Sequence, residues 1–263
     1  MKKVYLVLSI AFISFAGCKK GDLNLFSIED DKSLGQQTVN QILADPQQFP
    51  VLSRTQYTQQ YAYLDNMRNE ILNSGQVRYK TEFEWQLYII NDPNTQNAFC
   101  TPGGYIFIYT GLIKYLDNAS SLAGVLGHEM AHADRRHSTT QMTKQYGLQT
   151  LLDIVLGNNQ SALTDVAASL INLQFSRDDE KDADAQSVTY LCPTPYRADG
   201  SADFFVKIAA SGGQQVPAFL STHPNPDNRV TNIQTKKSEL GCANTPSNTV
   251  EITDFTQFKN SLP

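Results

Sequence analysis

Basic residues are in short supply. Lysine and arginine total 21 against 26 aspartates and glutamates, a formal net charge of −5 over 263 residues. A deficit of that sign gives a polyanion nothing to hold, which sets aside nucleic-acid binding. Cysteine is scarce as well, four in all (Cys18, Cys100, Cys192 and Cys242), and no two stand at the spacing of a cysteine zinc site. No apolar run beyond the N-terminus approaches the roughly twenty residues of a membrane helix. There is no internal repeat and no long low-complexity segment, and no feature specifies an oligomer. What is present is a 41% hydrophobic composition, enough to build a sizeable core in one large or two small domains. Histidine is rarer than that composition would require, four in the chain, yet three of the four fall within "GVLGHEMAHADRRHS" at 124–138.

The N-terminus addresses the chain. Lys2 and Lys3 precede an apolar run over 4–15, then the small residues Ala16 and Gly17, then Cys18. The run is too short to span a bilayer comfortably, and small residues before a cysteine suit cleavage at a lipidated Cys18. Residues 1–17 are therefore expected to be a bacterial lipoprotein signal and 18–32 a polar tether. The expected location is the cell envelope, periplasmic or surface-facing, with the membrane held through lipid on Cys18. Without the two signal lysines the mature chain keeps 19 basic against 26 acidic residues, about −7, so lipid rather than charge would provide the tether.

Periodicity predicts helices over 33–43 and 54–72, an apolar β-prone run at 83–90 ("FEWQLYII"), a turn at "NDPN", and a second strand at 105–110 after Pro102, Gly103 and Gly104 break the chain. Beyond it the pattern becomes helical. Asp117 and Asn118 can cap a helix over 119–137, and further helices fit 140–156, 162–191 and 202–210. The fold class is α+β and mainly helical. A single domain is expected over 33–240, with N-terminal helices at 33–75 and a core at 81–240, followed by a loose tail at 241–263.

On such a helix His128 and His132 stand one turn apart on the same face, so two imidazoles can reach one ion. Glu129 lies about 100° further round, placed to take a proton from water beside a metal without being a ligand. The apolar approach Leu122, Ala123, Val125 and Leu126 marks the helix as buried, and buried imidazoles need partners. His137 falls about 140° from His132 on a continuous helix and so points elsewhere, a cation near a helix C-terminus. A third ligand must come from a distant segment. "FSRDDEKDADAQSVTYL" at 175–191 offers Glu180 and Asp184 four apart on one face, but spacing does not choose among Asp179, Glu180 and Asp184, and the run also reads as a solvated charge face.

Four ordered motifs, "NAF..PGGYIFIYTGL", "LAGVLGHEMAHADRRHS", "SRDDEKDAD" and "STHPNPDNRV", carry a family resemblance over about residues 30–235. The chain resembles the gluzincin metallopeptidases typified by the CAAX prenyl endopeptidases, in their soluble periplasmic and lipoprotein branch. The resemblance implies a zincin-like fold whose small, edge-exposed β-sheet packs on the active-site helix. It implies one zinc ion held by His128, His132 and Glu180, with Glu129 as general base. Asp184 falls on the acidic position that follows the ligand; supporting a ligand imidazole suits it better than donating protons. The strand after the glycines would form the sheet edge, where Gly103, Gly104, Tyr105, Ile106 and Phe107 pair with an extended polypeptide substrate. Because Cys100 lies inside that segment, Cys192 and Cys242 are the favoured disulfide among three possible pairings.

His223 precedes Pro224 in a predicted loop. Either His223 or Arg229 stabilises the oxyanion of the reaction, or His223 reaches the metal's fourth position and holds the enzyme latent. The implied reaction is hydrolysis of internal peptide bonds in misfolded or misassembled envelope proteins, Glu129 taking a proton from the attacking water and returning it to the leaving amine. Lacking a membrane chamber, the chain is not expected to process CAAX substrates. The rival expectation is a zinc-stabilised binding or assembly factor with little proteolysis.

Overall fold

The computed structural model describes residues 24, 26–155, 158, 165–166, 169–170, 172–210, 217–224, 228–243, 245–247 and 249–263. The signal, Cys18, about half of the tether and parts of the first half of the expected helix at 162–191 lie outside them. The chain begins with α1 (Ile28–Ala44) and α2 (Thr58–Leu72), then forms β1 (Gln86–Ile90), β2 (Ala98–Thr101) and β3 (Tyr105–Tyr109). Helices α3 (Thr110–Tyr115), α4 (Ala119–Asp134), α5 (His137–Val155), α6 (Arg177–Leu191), α7 (Gly200–Ala210), α8 (Phe219–Thr222) and α9 (Arg229–Glu239) follow. A π-helical turn (Thr249–Asp254) leads into α10 (Phe255–Asn260). The mainly helical α+β class is as the periodicity implies. Helix α1 starts ahead of its expected first residue because Ser27 and Asp30 form a capping box.

The sheet order is β1-β3-β2, with β1 parallel and β2 antiparallel to β3. This corrects the expectation for Gly103–Phe107. Tyr105, Ile106 and Phe107 belong to the middle strand, which is paired on both sides and has no edge to offer an incoming peptide. Gly103 and Gly104 have φ of 78° and 87° and turn β2 into β3; a Cβ on Gly103 would stand 2.9 Å from the Lys32 Cα of α1. Their role is to make the turn and admit α1 against it. The strands are apolar on both faces because both are covered. Leu87, Ile89, Ala98, Cys100, Ile106 and Ile108 enter the main core with α4, while Phe99, Tyr105, Phe107 and Tyr109 meet Val39 and Ile42 of α1. Across the second face Tyr88, Phe107 and Phe99 stack with centroids 4.7 and 4.8 Å apart.

Helix α4 is buried along its whole length, capped by the Asn118 side chain accepting from the Ser121 N–H. It packs against α6 and α7 at close range: Gly127 faces Ser187, whose hydroxyl donates to the Gly124 carbonyl at 2.9 Å. A second correction concerns its end. The helix stops at Asp134, and Arg136, with φ 59°, reverses the chain before His137. The Asp134 carboxylate secures this corner by accepting from the Arg78 and Tyr79 N–H groups and the Tyr190 hydroxyl.

The expected loose tail is largely ordered and packed. Phe255, Phe258 and Leu262 are buried, and Phe258 stacks on Tyr63 of α2 at 4.2 Å. Glu251 accepts from the Ser120 backbone and hydroxyl at 3.1 and 2.6 Å, placing a carboxylate at the N-terminus of α4. Cys192 and Cys242 are joined in a disulfide, and Cys100 is a buried free thiol. No helix among the described residues is long and apolar enough to cross a membrane.

Candidate metal centre

Helical periodicity stacks His128 and His132 on α4 with their Nε2 atoms 3.0 Å apart. Helix α6 supplies the third donor. Its capping box ties Ser176 to Asp179, occupying Asp179 and setting Glu180 inward. Glu180 Oε1 lies 3.3 Å from His132 Nε2, and Oε2 lies 3.5 Å from His128 Nε2. His223, just past α8, brings Nδ1 to 3.3 Å from His128 Nε2 and 3.0 Å from Glu180 Oε1. One donor atom from each of these four residues lies within 4.8 Å of the others, and all four residues are buried.

Asp184, one turn after Glu180, places Oδ1 2.9 Å from His128 Nδ1, so it meets the ring nitrogen that points away from the donor cluster. Arg229, the first residue of α9, forks onto Asp184 through Nε and Nη2 at 2.7 and 2.8 Å and reaches Glu180 Oε2 at 3.0 Å. Its Nη1 has no hydrogen-bond partner. Glu129 is fully buried and neither oxygen has a hydrogen-bond partner; Oε1 lies 3.4 Å from His223 Nε2. Phe175 stacks on the His132 ring at 3.8 Å and Phe219 on His223 at 4.1 Å.

His137 does not point away. The reversal at Arg136 returns it to His132, Nδ1 to Nδ1 at 3.0 Å, with its Nε2 3.2 Å from Asp182. Sequence periodicity missed this contact because it extrapolated one helix through a corner. The Arg-Arg pair after Asp134 was the available signal of a polar interruption, though it does not specify a left-handed residue.

Burial alone would discharge every ionisable group here, and the neighbours decide which resist. Desolvation opposes charge on His128, but hydrogen bonds to Asp184 and Glu180 outweigh it and push its pKa up to about 9. Desolvation also acts to raise Glu180, yet His223, His128 and His132 together hold it well below the usual carboxylate range, ionised as a ligand must be. His132 is lowered, first by burial. Glu129 is raised, first by burial, the direction that favours its holding a proton. Cys100 is raised, first by burial and then by the Glu129 charge.

The donor chemistry fits a metal. Two imidazole nitrogens 3.0 Å apart, a carboxylate held in the ionised form and a third imidazole converge in a dry interior, where such a cluster needs a cation. Nitrogen and oxygen donors from two histidines on one helix turn and an acid on a second helix define a zincin-type metallopeptidase site. Residues 58–237 match Peptidase family M48, and the chain belongs to that family, whose members use zinc.

Among its relatives, the mitochondrial metalloendopeptidase OMA1 of Arabidopsis thaliana is 32% identical over 145 residues, 54% of this chain and 29% of the relative. The beta-barrel assembly-enhancing protease of Yersinia pestis is 26% identical over 230 residues, 81% of this chain and 45% of the relative. Metalloprotease YcaL of Escherichia coli is 26% identical over 187 residues, 68% of this chain and 70% of the relative. The chain thus spans less than half the length of the first two.

Proposed function

We propose that this chain is a zinc-dependent endopeptidase of the bacterial cell envelope, anchored through lipid on Cys18, that hydrolyses internal peptide bonds of misfolded or misassembled envelope proteins. Within its family we assign it to the soluble lipoprotein branch of the prenyl-endopeptidase type. The relatives named for metalloendopeptidase activity and for β-barrel assembly support the reading. The observation that carries it is Glu129, a buried carboxylate with no hydrogen-bond partner for either oxygen, beside a group of side chains that could hold a metal. A site built only to staple the fold has no use for such a group.

His128, His132 and Glu180 would hold the ion. Zinc bound there would supply Lewis acidity toward a scissile carbonyl and the attacking water. Glu129 takes the proton of that water and delivers it to the leaving amine. Asp184, braced by Arg229, orients His128. His223 is the residue that must move: its Nδ1 stands among the donors and its Nε2 faces Glu129, so it would act as a fourth donor to a bound ion and covers the base. We therefore assign His223 to a latent state. The same four-donor closure favours the rival reading, a zinc-stabilised binding factor that rarely cuts.

Purified mature protein incubated with an unfolded protein substrate separates the two. We expect cleavage that a chelator abolishes and zinc restores, a gain of turnover in His223→Ala, and a loss of about 10²–10⁴-fold in Glu129→Gln with zinc retained. Binding without cleavage in both the wild type and His223→Ala would favour the binding factor.

A further inference from the structure

His132 presents Nε2 to the donor cluster, 3.0 Å from His128 Nε2 and 3.3 Å from Glu180 Oε1, so as a ligand it carries its remaining proton on Nδ1. That nitrogen is buried and faces His137 Nδ1 at 3.0 Å. An N–H there requires a bare nitrogen opposite, which puts the His137 proton on Nε2, 3.2 Å from Asp182 Oδ2 and 3.9 Å from Asp179 Oδ1. Asp182 also accepts from Arg135 Nε at 2.7 Å. The protons on His132 Nδ1 and His137 Nε2 thus both point toward Asp182, where the Arg135 N–H converges from the other side. His128, by contrast, meets its carboxylate, Asp184, directly.

We infer that His137 is a positioning residue for the ligand His132, accepting its Nδ1 proton and relaying the hydrogen bond to Asp182. The inference rests on the metal site proposed above and deepens it: the two ligand histidines are supported differently, one by a carboxylate and one through a neutral imidazole. The support is assembled by three parts of the fold. Arg136 adopts its left-handed conformation under hydrogen bonds to Asp31 and to the carbonyls of Phe26 and Ser27, at the start of α1. That corner sets His137 as the first residue of α5, and α6 supplies Asp182 two residues after Glu180. Support of this kind fixes the ring's tautomer and orientation and raises its basicity as a ligand.

The test measures zinc affinity of the full mature chain by competition with a chromophoric chelator, beside the visible spectrum of the cobalt-substituted protein. His137→Phe should weaken zinc binding about 10–100-fold and shift the cobalt bands. His137→Asn, whose amide oxygen can stand where Nδ1 stands, should recover most of the affinity. Asp182 is one-third exposed, so Asp182→Asn leaves the core intact; it should weaken binding in the wild type and add nothing to His137→Phe. Wild-type affinity and an unchanged cobalt spectrum in both His137→Phe and Asp182→Asn would overturn the inference. A His132→Ala variant that binds zinc like the wild type would instead overturn the parent metal site, and the positioning role with it.

Discussion

A methyl group added at Gly124 would stand 2.1 Å from the Ser201 nitrogen and 2.7 Å from its Cα, and one added at Gly200 would stand 1.9 Å from the Ser120 carbonyl oxygen. These obstacles are backbone, which cannot swing aside as a side chain can. Gly124→Ala should therefore cost about 3 kcal/mol of stability, seen as a lower urea midpoint with an unchanged slope. Gly75→Ala is the control: nothing lies within 4 Å of its Cβ, and the φ of 75° alone should cost about 1 kcal/mol. At this scale the sequence was most informative where chemistry is local. His128, Glu129 and His132 are neighbours along one helix, so their spacing reports their geometry. Glu180 needed either the family pattern or the capping box that removes Asp179 from contention. His137 was misread because a single left-handed residue, invisible to periodicity, redirects it.

Elements were legible in proportion to their length. Helix α4 and strands β1 and β3 emerged within a few residues of their expected positions, whereas β2, only Ala98–Thr101, was too short to show alternation before Pro102. Strand order is a different kind of information: that β3 lies between β1 and β2 depends on which edges meet after folding, and the apolar pattern of β3 is the same for a covered edge and a centre. The C-terminal segment was misjudged from its Asn, Thr and Ser content, although Phe255, Phe258 and Leu262 sit at a spacing that buries all three. Removing residues 249–263 should take those three side chains out of the core, a loss of about 5 kcal/mol of burial, uncover Tyr63 of α2, and take Glu251 from the start of α4. Against a total stability on the order of 5–15 kcal/mol, the truncated chain should lose about a third or more of its stability and melt well below the full chain by circular dichroism.

At the level of the whole molecule, parts far apart in sequence converge on one buried centre: α4 and α6 bring His128, His132 and Glu180, the turn after α8 brings His223, and α9 brings Arg229. The Cys192–Cys242 disulfide joins the end of α6 to the residues just past α9. Closing a loop of that length should contribute about 2–4 kcal/mol, so a Cys192→Ser, Cys242→Ser protein should melt several degrees below the wild type, and reductant should narrow the gap.

The same bond makes residues 192–242 a covalent ring that carries both His223 and Arg229. A single backbone cut anywhere inside the ring leaves two fragments still joined through sulfur, so a nicked molecule would stay in one piece, heavier only by the water added, with its site residues together. Under the proposed peptidase function, a cut made in this region by another copy of the chain would pass unseen until the thiols were reduced.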